Sequence, residues 1–495
     1  MKILFIEPPF KIFTGFVNFF FPMGLGSLAA VLRNAGHEVI IFDVDALKKG
    51  SDIDFSEEYK RLELYREGLN NDQHWVWQEI KKVLNSYQPD LVGISAMTPI
   101  FGSALKTAEV VKKYNPELLV IVGGPHPSLL TEQTLRSKDI DIAVRGEGER
   151  TILELVKTIE NGGDLYKVKG ISFKENGKVF NNELQEPIKN LDEIPFPARD
   201  LLMNFQNYTS EDMGAILGSR GCPFNCTYCS HFWGRCVRFR SPQNVFQEIK
   251  EIRHKYGTRQ FELKDDTFTA NRKWVTDLCN LLILENLKIN WGCTTRANLL
   301  DEDILRKMQK AGCNVVRIGV ETGSERILKE TKKGVTFEQM KKAAKILNKL
   351  GIFWSGYFMM GLPTETEEDI LKTYQFMKEL NPYYAGLGVY NPFPATELFD
   401  QGVKLGLLSL DVELGHFFQT NPKDYFFVNP SKRIIGMSKE KFDNLSSFMM
   451  DAFHRHNTKL QNIIRRGLAR RKVYSGEPKL LLGDLKKVSK WIFKI

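Results

Sequence analysis

The sequence predicts an α/β protein with an N-terminal doubly wound parallel sheet, a complete or partial β/α barrel of the TIM type, and a mainly helical C-terminal region. Two observations predict this fold. Short apolar runs alternate with helical patterns along the first part of the chain, and the same alternation returns in its central part. Such alternation is typical of parallel strands joined by helices. After Pro394 the alternation is lost. We expect four segments, at residues 1–160, 161–210, 211–400 and 401–495.

Length and composition fit this organisation. A chain of 495 residues provides for two to four domains, and 42% hydrophobic with 26% charged residues is typical of a globular protein. The odd number of cysteines, seven, argues against a disulfide framework, and we expect a cytoplasmic protein. No apolar run approaches the ~20 residues that span a bilayer, so no transmembrane helix is expected.

The N-terminal third has about five predicted strands, with helices between them and an irregular insertion plus a helix at residues 45–87. Ligands of such sheets lie beyond the carboxyl ends of the strands. Small residues at these ends let backbone amides approach a large or anionic ligand. No G-x-G-x-x-G follows the first strand, so a nicotinamide site is disfavoured. The strand ends read EPP, SAMTP, GGPHPS and RGEGE.

Residues 161–210 are expected to be a linker. The run GISFKENGKVF contains Asn176-Gly177, which predicts a small hairpin because Asn-Gly favours a tight turn between two strands. The proline-punctuated run LDEIPFPARDLL follows and predicts an extended connection to the next domain.

Six strand–helix units are predicted from residue 215 onward. In a parallel barrel the active residues lie at the carboxyl ends of the strands. The predicted strands are AILGS, QFELKDD, INWGCTTR, VVRIGVETGS, FWSGYFMMGLP and YAGLGVYNPFP.

Three cysteines follow the first of these strands. Cys222, Cys226 and Cys229 form the pattern CxxxCxxC. Three thiolates on one loop can hold three corners of an iron–sulfur cube and leave the fourth iron open. A structural zinc ion needs four protein ligands; His231 is too near Cys229 for the usual spacing, and no second CxxC occurs. The pattern therefore favours an incomplete iron–sulfur site.

Polar side chains follow the other strands of the predicted barrel. Carboxylates accept bonds from an amino group or from ribose hydroxyls, and an arginine pairs with a carboxylate, so this set suits a zwitterionic, ribose-bearing ligand. Each residue alone also fits a helix cap or a salt bridge. The residues are Asp265, Asp266, Arg296, Glu321 and Ser324.

These motifs resemble the radical SAM superfamily: CxxxCxxC with Tyr228 before the last cysteine, KDDTF, IGVETGS and GLPTET. The resemblance implies that the three cysteines bind a 4Fe-4S cluster whose open iron chelates S-adenosylmethionine (SAM). One electron from the cluster would then cleave SAM to a 5′-deoxyadenosyl radical. The implied SAM contacts are Tyr228, Asp265, Asp266, Arg296, Glu321, Ser324 and Gly361.

The N-terminal third resembles the Rossmann-like cobalamin-binding domain of cobalamin-dependent radical SAM enzymes. The matching runs are the first strand ending in PP, PMGLGSLAAVLRNAGHEV, ISAMTP, VGGPHPS and RGEGE. The DxHxxG motif is absent, so an axial histidine from that position is not expected, and His126 is more typical of a hydrogen-bonding residue. The resemblance implies cobalamin contacts at Ser95, Met97, Thr98, Pro99, Gly123, Gly124, Pro125, Glu147 and Gly148.

The two resemblances together imply a methyltransferase that uses cobalamin and SAM to methylate an unreactive carbon or phosphorus. A radical ring closure, rearrangement or oxidation with the same cofactors is an alternative, and a cobalamin or redox sensor is another. We expect an electron donor such as a flavodoxin or ferredoxin, and a small-molecule or lipid-linked substrate. Nothing in the sequence resembles a nucleic-acid-reading element.

The C-terminal quarter carries two further expectations. Residues 411–430 are rich in aromatic side chains and are expected to form a lid or wall over the substrate. From Lys459 onward, the sequence contains eleven Lys and Arg residues but only two acidic residues, Glu477 and Asp484. This basic tail fits either an anionic membrane surface on the cytoplasmic face or a solvated helix packed on the barrel, and the second is slightly favoured.

Overall fold

The computed structural model describes residues 1–15, 20–47, 61–421, 424–429, 431–476, 481–485 and 489. The chain folds into two compact units. Unit 1 comprises Met1–Met213 and Asp411–Phe427, and unit 2 comprises Gly214–Leu410 and Val428–Ile495. Within the described ranges, no helix combines the length and the apolar character that crossing a membrane requires.

Unit 1 is built on a seven-stranded sheet in the order β2-β1-β3-β4-β5-β6-β7. The first five strands are parallel, as the alternating sequence predicts. Their order, 2-1-3-4-5, is that of a doubly wound sheet whose ligand crevice lies at the carboxyl ends. The strands are β1 (Lys2–Glu7), β2 (Glu38–Asp43), β3 (Leu91–Ser95), β4 (Leu119–Gly123), β5 (Ile142–Val144), β6 (Ile171–Glu175) and β7 (Lys178–Asn181).

The helices of unit 1 cover this sheet because each has an apolar side. Helix Met23–Asn34 buries Leu25, Ala29 and Leu32, residues that recur every three or four positions. The other α-helices are Lys11–Thr14, Leu62–Asn70, Trp75–Tyr87, Phe101–Tyr114, Pro125–Leu129, Thr131–Leu135, Gly148–Glu160 and His416–Gln419.

The predicted hairpin exists, but it belongs to the sheet. Asn176 and Gly177 have φ values of 51° and 75°, as the tight turn between β6 and β7 requires. β6 pairs antiparallel with β5, and Phe173 lies opposite Ile142. Residues expected to form a linker therefore extend the sheet by two strands, because Ile171 and Phe173 are apolar and need a partner to bury them.

The aromatic segment near the C-terminus also belongs to unit 1. Phe417 is fully buried, and its ring meets the ring of Phe101 edge-on at 5.1 Å between centroids. The Gln133 side chain donates to the Val412 carbonyl at 3.0 Å. The Phe417 ring thus completes the core of unit 1, and the expected lid or wall over the substrate stays a prediction.

Unit 2 contains a six-stranded parallel sheet in the order β15-β14-β13-β12-β11-β8. All six predicted strands are confirmed, and over the described ranges they form one open row with β8 and β15 at its edges, a partial barrel. β9 (Ser219–Arg220) and β10 (Arg238–Phe239) form a separate antiparallel pair. The six strands are β8 (Ala215–Ile216), β11 (Gln260–Leu263), β12 (Asn290–Thr295), β13 (Cys313–Glu321), β14 (Phe353–Met360) and β15 (Tyr384–Val389).

Helix ends in unit 2 follow from local sequence. The Ser241 side chain caps helix Pro242–Tyr256 by accepting from the Asn244 amide, and Gly257 ends it with φ 75°. The predicted C-terminal helix at residues 439–466 is two helices, Lys439–Thr458 and Leu460–Ala469. The remaining α-helices are Arg272–Glu285, Glu302–Lys310, Glu325–Glu330, Phe337–Leu350, Glu367–Leu380, Glu397–Lys404 and Arg471–Gly476.

Candidate functional site

The three cysteines lie on a loop that the β9–β10 pair closes at its base. Inside the loop, the Cys222 amide donates to the Gly234 carbonyl at 3.3 Å, and the Cys229 amide donates to the Cys226 carbonyl at 3.2 Å. Gly221 has φ 103°, and a Cβ atom there would lie 2.6 Å from the Cys236 carbonyl oxygen. The crossing of two backbone segments at this point therefore requires glycine.

Two thiols of this loop lie close to polar side chains of unit 2. The Cys226 Sγ accepts from Arg296 Nη1 at 3.3 Å, and the Cys222 Sγ lies 3.4 Å from Thr267 Oγ1. Across the described ranges, no three His, Cys, Asp or Glu side chains form a group that could hold one metal ion, as a zinc site would need. A cube distributes its cysteines over different iron atoms, so these thiols need not converge on one point.

The two aspartates after β11 support the start of the cysteine loop. Asp265 is buried, accepts from Ser219 Oγ at 2.5 Å, and accepts from the Gly218 amide at 3.4 Å. Burial raises the pKa of Asp265 to about 6. Asp266 accepts from the Gly221 amide. Both carboxylates thus fix backbone just before Cys222, and their predicted contact with SAM stays a prediction.

A buried chain of polar groups joins Tyr228 to Glu321. Lys333 Nζ lies 2.7 Å from Glu321 Oε1 and 3.2 Å from the Tyr228 hydroxyl. The pKa of Tyr228 is raised well above its usual value, first by burial and then by the nearby Glu321 carboxylate. Glu321 adopts φ 70°, a left-handed conformation that is costly for a residue with a side chain. The surrounding contacts hold this conformation at the end of β13.

Arg296 connects the cysteine loop to the same polar chain. Its guanidinium stacks on the Phe224 ring at 3.7 Å, donates to Cys226 Sγ, and donates to the Lys333 carbonyl. The structure thus brings Cys226, Arg296 and the Lys333–Glu321 pair together.

The last two predicted SAM residues have local partners. Ser324 caps helix Glu325–Glu330 and donates to Asp369 Oδ1 at 2.5 Å. Gly361 has φ 89°, and its amide donates to Glu365 Oε2 at 2.6 Å. Glu365 is 1% exposed, and burial raises its pKa to about 8.

A cavity of about 510 Å³ adjoins the cysteine loop within unit 2. Its wall combines the residues between the first two cysteines with three lysines that follow β13, so it is basic. The lining residues are Pro223, Phe224, Asn225, Leu328, Lys329, Lys332, Lys333 and Gly334.

The glycine-rich strand ends of unit 1 form one edge of its sheet. Gly124 has φ 113°, and a Cβ atom there would lie 2.8 Å from the Ala96 carbonyl oxygen. A Cβ on Gly146 would meet no atom within 4 Å, so the backbone there is open to a ligand. This open edge fits a large ligand that backbone atoms approach closely, as the cobalamin prediction requires.

Two of the predicted cobalamin contacts bind polar side chains of unit 1. Ser95 hydrogen-bonds the buried Glu7 carboxyl, whose pKa is raised to about 8 by burial and by neighbouring Asp43. Thr98 Oγ1 lies 3.2 Å from Nδ1 of His126. Met97, in contrast, is 46% exposed. The Glu147 carboxylate accepts from the Ile188 amide at 3.3 Å, just before helix Gly148–Glu160.

His126 is part of the core. Its ring stacks on Phe101 at 3.6 Å between centroids and meets Phe417 edge-on at 5.6 Å. The ring is fully buried, which lowers the pKa of His126 to about 3 and keeps it neutral.

Sequence reasoning missed several residues around these sites. Lys333, Phe224 and Thr267 contact the predicted residues, and Glu365 holds the turn at Gly361. Glu365 lies within the run GLPTET, so the motif that pointed to Gly361 could also have pointed to Glu365. Lys333 follows Glu321 by 12 residues, and no periodicity relates the two positions.

Two family models match the chain in succession. Residues 12–156 match the B12 binding domain, and residues 216–377 match the radical SAM superfamily. An uncharacterized methyltransferase of Pyrococcus horikoshii is 34% identical over 453 residues, covering 90% of each chain. The chain belongs to the cobalamin-binding radical SAM family.

Further comparisons show that this family contains more than one chemistry. An anaerobic magnesium-protoporphyrin IX monomethyl ester cyclase of Rubrivivax gelatinosus is 31% identical over 92% of this chain and 78% of its own. The solved structure of TsrM from Kitasatospora setae, a radical SAM methyltransferase with cobalamin and a [4Fe-4S] cluster bound, has the same fold. It superposes with a TM-score of 0.67 at 18% identity, over 82% of this chain and 78% of its own.

The predicted family and fold class are thereby confirmed. The cofactors of this radical SAM enzyme are a 4Fe-4S cluster, SAM and cobalamin. The roles of individual residues in binding them stay predictions.

Proposed function

We propose that this enzyme transfers a methyl group from SAM, by way of cobalamin, to an unactivated carbon or phosphorus atom of a small-molecule substrate. The observation that carries the proposal is the closed cysteine loop beside the buried Tyr228–Lys333–Glu321 chain, in a chain that also contains a B12 binding domain. The methyltransferase that is 34% identical over 90% of this chain supports methyl transfer.

The three thiols of the cysteine loop would hold the cluster. When bound, the cluster supplies one electron to SAM, and cobalamin carries the methyl group. The loop places Cys226 against the Arg296 guanidinium, whose positive charge stabilises a thiolate. The residues proposed to bind SAM are Tyr228, Asp265, Asp266, Arg296, Glu321, Ser324 and Gly361.

The protein residues around SAM would mainly orient it. Lys333 holds the Glu321 carboxylate in place, where it could accept from a hydroxyl or amino donor of the ligand. Tyr228 packs on Ile327, Leu362, Tyr390 and Leu398, which fixes an aromatic surface for a planar base. Because these side chains are held before a ligand arrives, little ordering remains to be done on binding.

The strand ends of unit 1 would hold cobalamin. Gly123, Gly124 and Gly148 are proposed contacts of the corrin or its nucleotide tail, and Thr98 is already oriented by its hydrogen bond with His126. Since His126 is buried in the core, we expect no histidine ligand to cobalt from this loop. The other proposed contacts are Ser95, Met97, Pro99, Pro125 and Glu147.

The alternative is a radical ring closure or oxidation without net methyl transfer. The cyclase relative, 31% identical over 92% of this chain, favours it. A third hypothesis is a cobalamin or redox sensor, in which the bound cofactors regulate a partner instead of taking part in catalysis. We also propose that a flavodoxin or ferredoxin reduces the cluster and that the enzyme works in the cytoplasm, where thiols stay reduced.

The experiment uses anaerobically purified enzyme with reconstituted cluster, cobalamin, reductant and SAM carrying a deuterated methyl group. It is incubated with a small-molecule extract of its own cells. Methyl transfer predicts both S-adenosylhomocysteine and 5′-deoxyadenosine, together with a product that carries the label. A ring closure predicts 5′-deoxyadenosine and an unlabelled product, and this result would refute methyl transfer. No SAM cleavage under any condition would refute both enzyme hypotheses and leave the sensor.

A further inference from the structure

Helix Leu460–Ala469 in unit 2 is oriented with its apolar side outward. Leu460, Ile464 and Leu468 are 65%, 53% and 59% exposed. They recur every four residues and therefore lie along one side of the helix. We name these three residues the apolar stripe. Water-soluble helices normally direct such a stripe toward the core.

Two polar side chains of the same helix, Asn462 and Arg465, face the protein. Asn462 is 5% exposed and donates to the His456 carbonyl at 2.7 Å. Arg465 donates to Asn381 Oδ1 at 2.9 Å and stacks over the Tyr383 ring at 4.7 Å. These specific bonds fix the rotation of the helix. The outward direction of the apolar stripe is therefore built into the fold.

The described segment 481–485 also has exposed apolar side chains. Leu481, Leu482 and Leu485 are 37%, 61% and 53% exposed. Asp484 ties this segment to the preceding helix by accepting from the Tyr474 hydroxyl at 2.6 Å and by pairing with Arg470. Six exposed leucine and isoleucine side chains thus occur within 26 residues of sequence, from 460 to 485.

Among the described residues from Ala452 to Gly476, the exposed charged side chains are cationic: Arg455, Lys459 and Arg471. Between Ala452 and Gly476 the sequence contains seven cationic residues and no Asp or Glu. A second copy of this chain meeting the same surface would bring these exposed cations against one another, which opposes a symmetric dimer. An anionic bilayer provides an apolar acyl-chain region for the stripe and negatively charged headgroups for the cations. The cations are Arg455, Lys459, Arg465, Arg466, Arg470, Arg471 and Lys472.

We propose that the apolar stripe and its basic surroundings dock this protein onto an anionic membrane surface. Leu460, Ile464 and Leu468 would enter the boundary between headgroups and acyl chains. Exposed Lys459 and Arg471 would meet the lipid phosphates. The helix would lie in the plane of the surface, since the inward bonds of Asn462 and Arg465 hold its other side on the protein.

The test uses the purified full chain without added cofactors, so that its outcome is independent of the proposed enzymatic function. Sedimentation is measured with vesicles of phosphatidylcholine and phosphatidylglycerol in a roughly 2:1 ratio, and with phosphatidylcholine vesicles alone. We expect binding to the mixed vesicles, weaker binding at high salt, and little binding to the neutral vesicles.

The decisive variant replaces the apolar stripe by L460Q, I464Q and L468Q together. It should fold as the wild type does, because these side chains are exposed, and should bind mixed vesicles at least about ten-fold more weakly. The matched control is L184Q, L284Q and L410Q, three leucines elsewhere that are 62%, 79% and 48% exposed. This control should bind as the wild type does.

Three outcomes would overturn the proposal. The first is no sedimentation of the wild type with mixed vesicles, and the second is equal binding of the stripe variant and the wild type. The third is a wild-type dimer in solution that the stripe variant dissociates, with no vesicle binding, which would assign the stripe to a second copy. Equal binding to neutral vesicles would refute the anionic requirement.

Discussion

Lys333 and Glu321 form a buried ion pair: Lys333 Nζ lies 2.7 Å from Glu321 Oε1, and the two side chains are 7% and 11% exposed. Glu321 ends β13, whereas Lys333 lies on the loop after the next helix. Lys333 Nζ also lies 3.2 Å from the hydroxyl of Tyr228 on the cysteine loop. One ammonium group thus connects three separate parts of the candidate site.

The first prediction concerns this ion pair. Lys333→Ala leaves the Glu321 carboxylate buried without its partner, and removal of one member of a buried pair costs about 3–5 kcal/mol. We expect the free energy of unfolding to fall by that amount, measured by urea titration of the metal-free protein.

Lys349→Ala is the matched control. Lys349 pairs with Glu302 at 2.9 Å, but the side chains are 60% and 33% exposed. Water screens such a pair, so its loss should cost less than about 1 kcal/mol. If the two variants lose the same stability, the Lys333–Glu321 pair does not hold the site together.

The second prediction concerns the cysteine loop. Cys222→Ala, Cys226→Ala and Cys229→Ala should each lower iron content after reconstitution and reduce SAM cleavage to background, because a cube held by two thiolates is not retained. Cys236→Ala is the control, since Cys236 is an exposed cysteine of the same loop. It should keep its iron and its SAM cleavage. Normal iron content in any of the first three variants would remove that cysteine from the ligand set.

The third prediction is a pH dependence of stability set by Glu365. Burial raises its pKa from 4.5 to about 8, with Asp369 adding to the rise and Arg326 opposing it. Between these two values the folded state holds a proton that the unfolded state releases. The contribution of Glu365 to stability is therefore complete below pH 4.5 and is lost as the pH rises toward about 8.

Glu365→Gln removes this titration while keeping an acceptor for the Gly361 and Leu362 amides. We expect the variant to lose less stability than the wild type between pH 5 and pH 8 in urea titrations. Glu368→Gln is the control on the same segment, because the Glu368 side chain is 77% exposed. Parallel pH curves for Glu365→Gln and the wild type would contradict a protonated Glu365.

The fourth prediction tests the aromatic segment of unit 1. Phe417→Ala removes a fully buried ring from contact with Phe101 and His126, and such a change typically costs about 3–5 kcal/mol. Stability is measured by thermal or urea unfolding. Cobalamin binding is measured separately on the same variant. Phe418→Ala is the control, because Phe418 is only half-buried, and it should cost clearly less. Equal, small losses would show that residues 411–427 are not part of this core.

The sequence located the three-cysteine loop and the strand ends because both are encoded locally. CxxxCxxC places its thiols within one loop, and the carboxyl ends of parallel strands meet at one edge of a sheet. The same reasoning could not tell what each side chain contacts at that edge. Asp265 bonds to Gly218 and Ser219, and a contact of this kind depends on how two distant segments pack.

By itself, the sequence determined the alternating strands and helices, the parallel strands of both sheets and the family, because periodicity and motif spacing are properties of short segments. Only the tertiary structure decided that Phe417 completes the core of unit 1 and that Lys333 pairs with Glu321. It also decided that Leu460, Ile464 and Leu468 face outward. These facts follow from packing and pairing between residues far apart in the chain, and no local pattern specifies them.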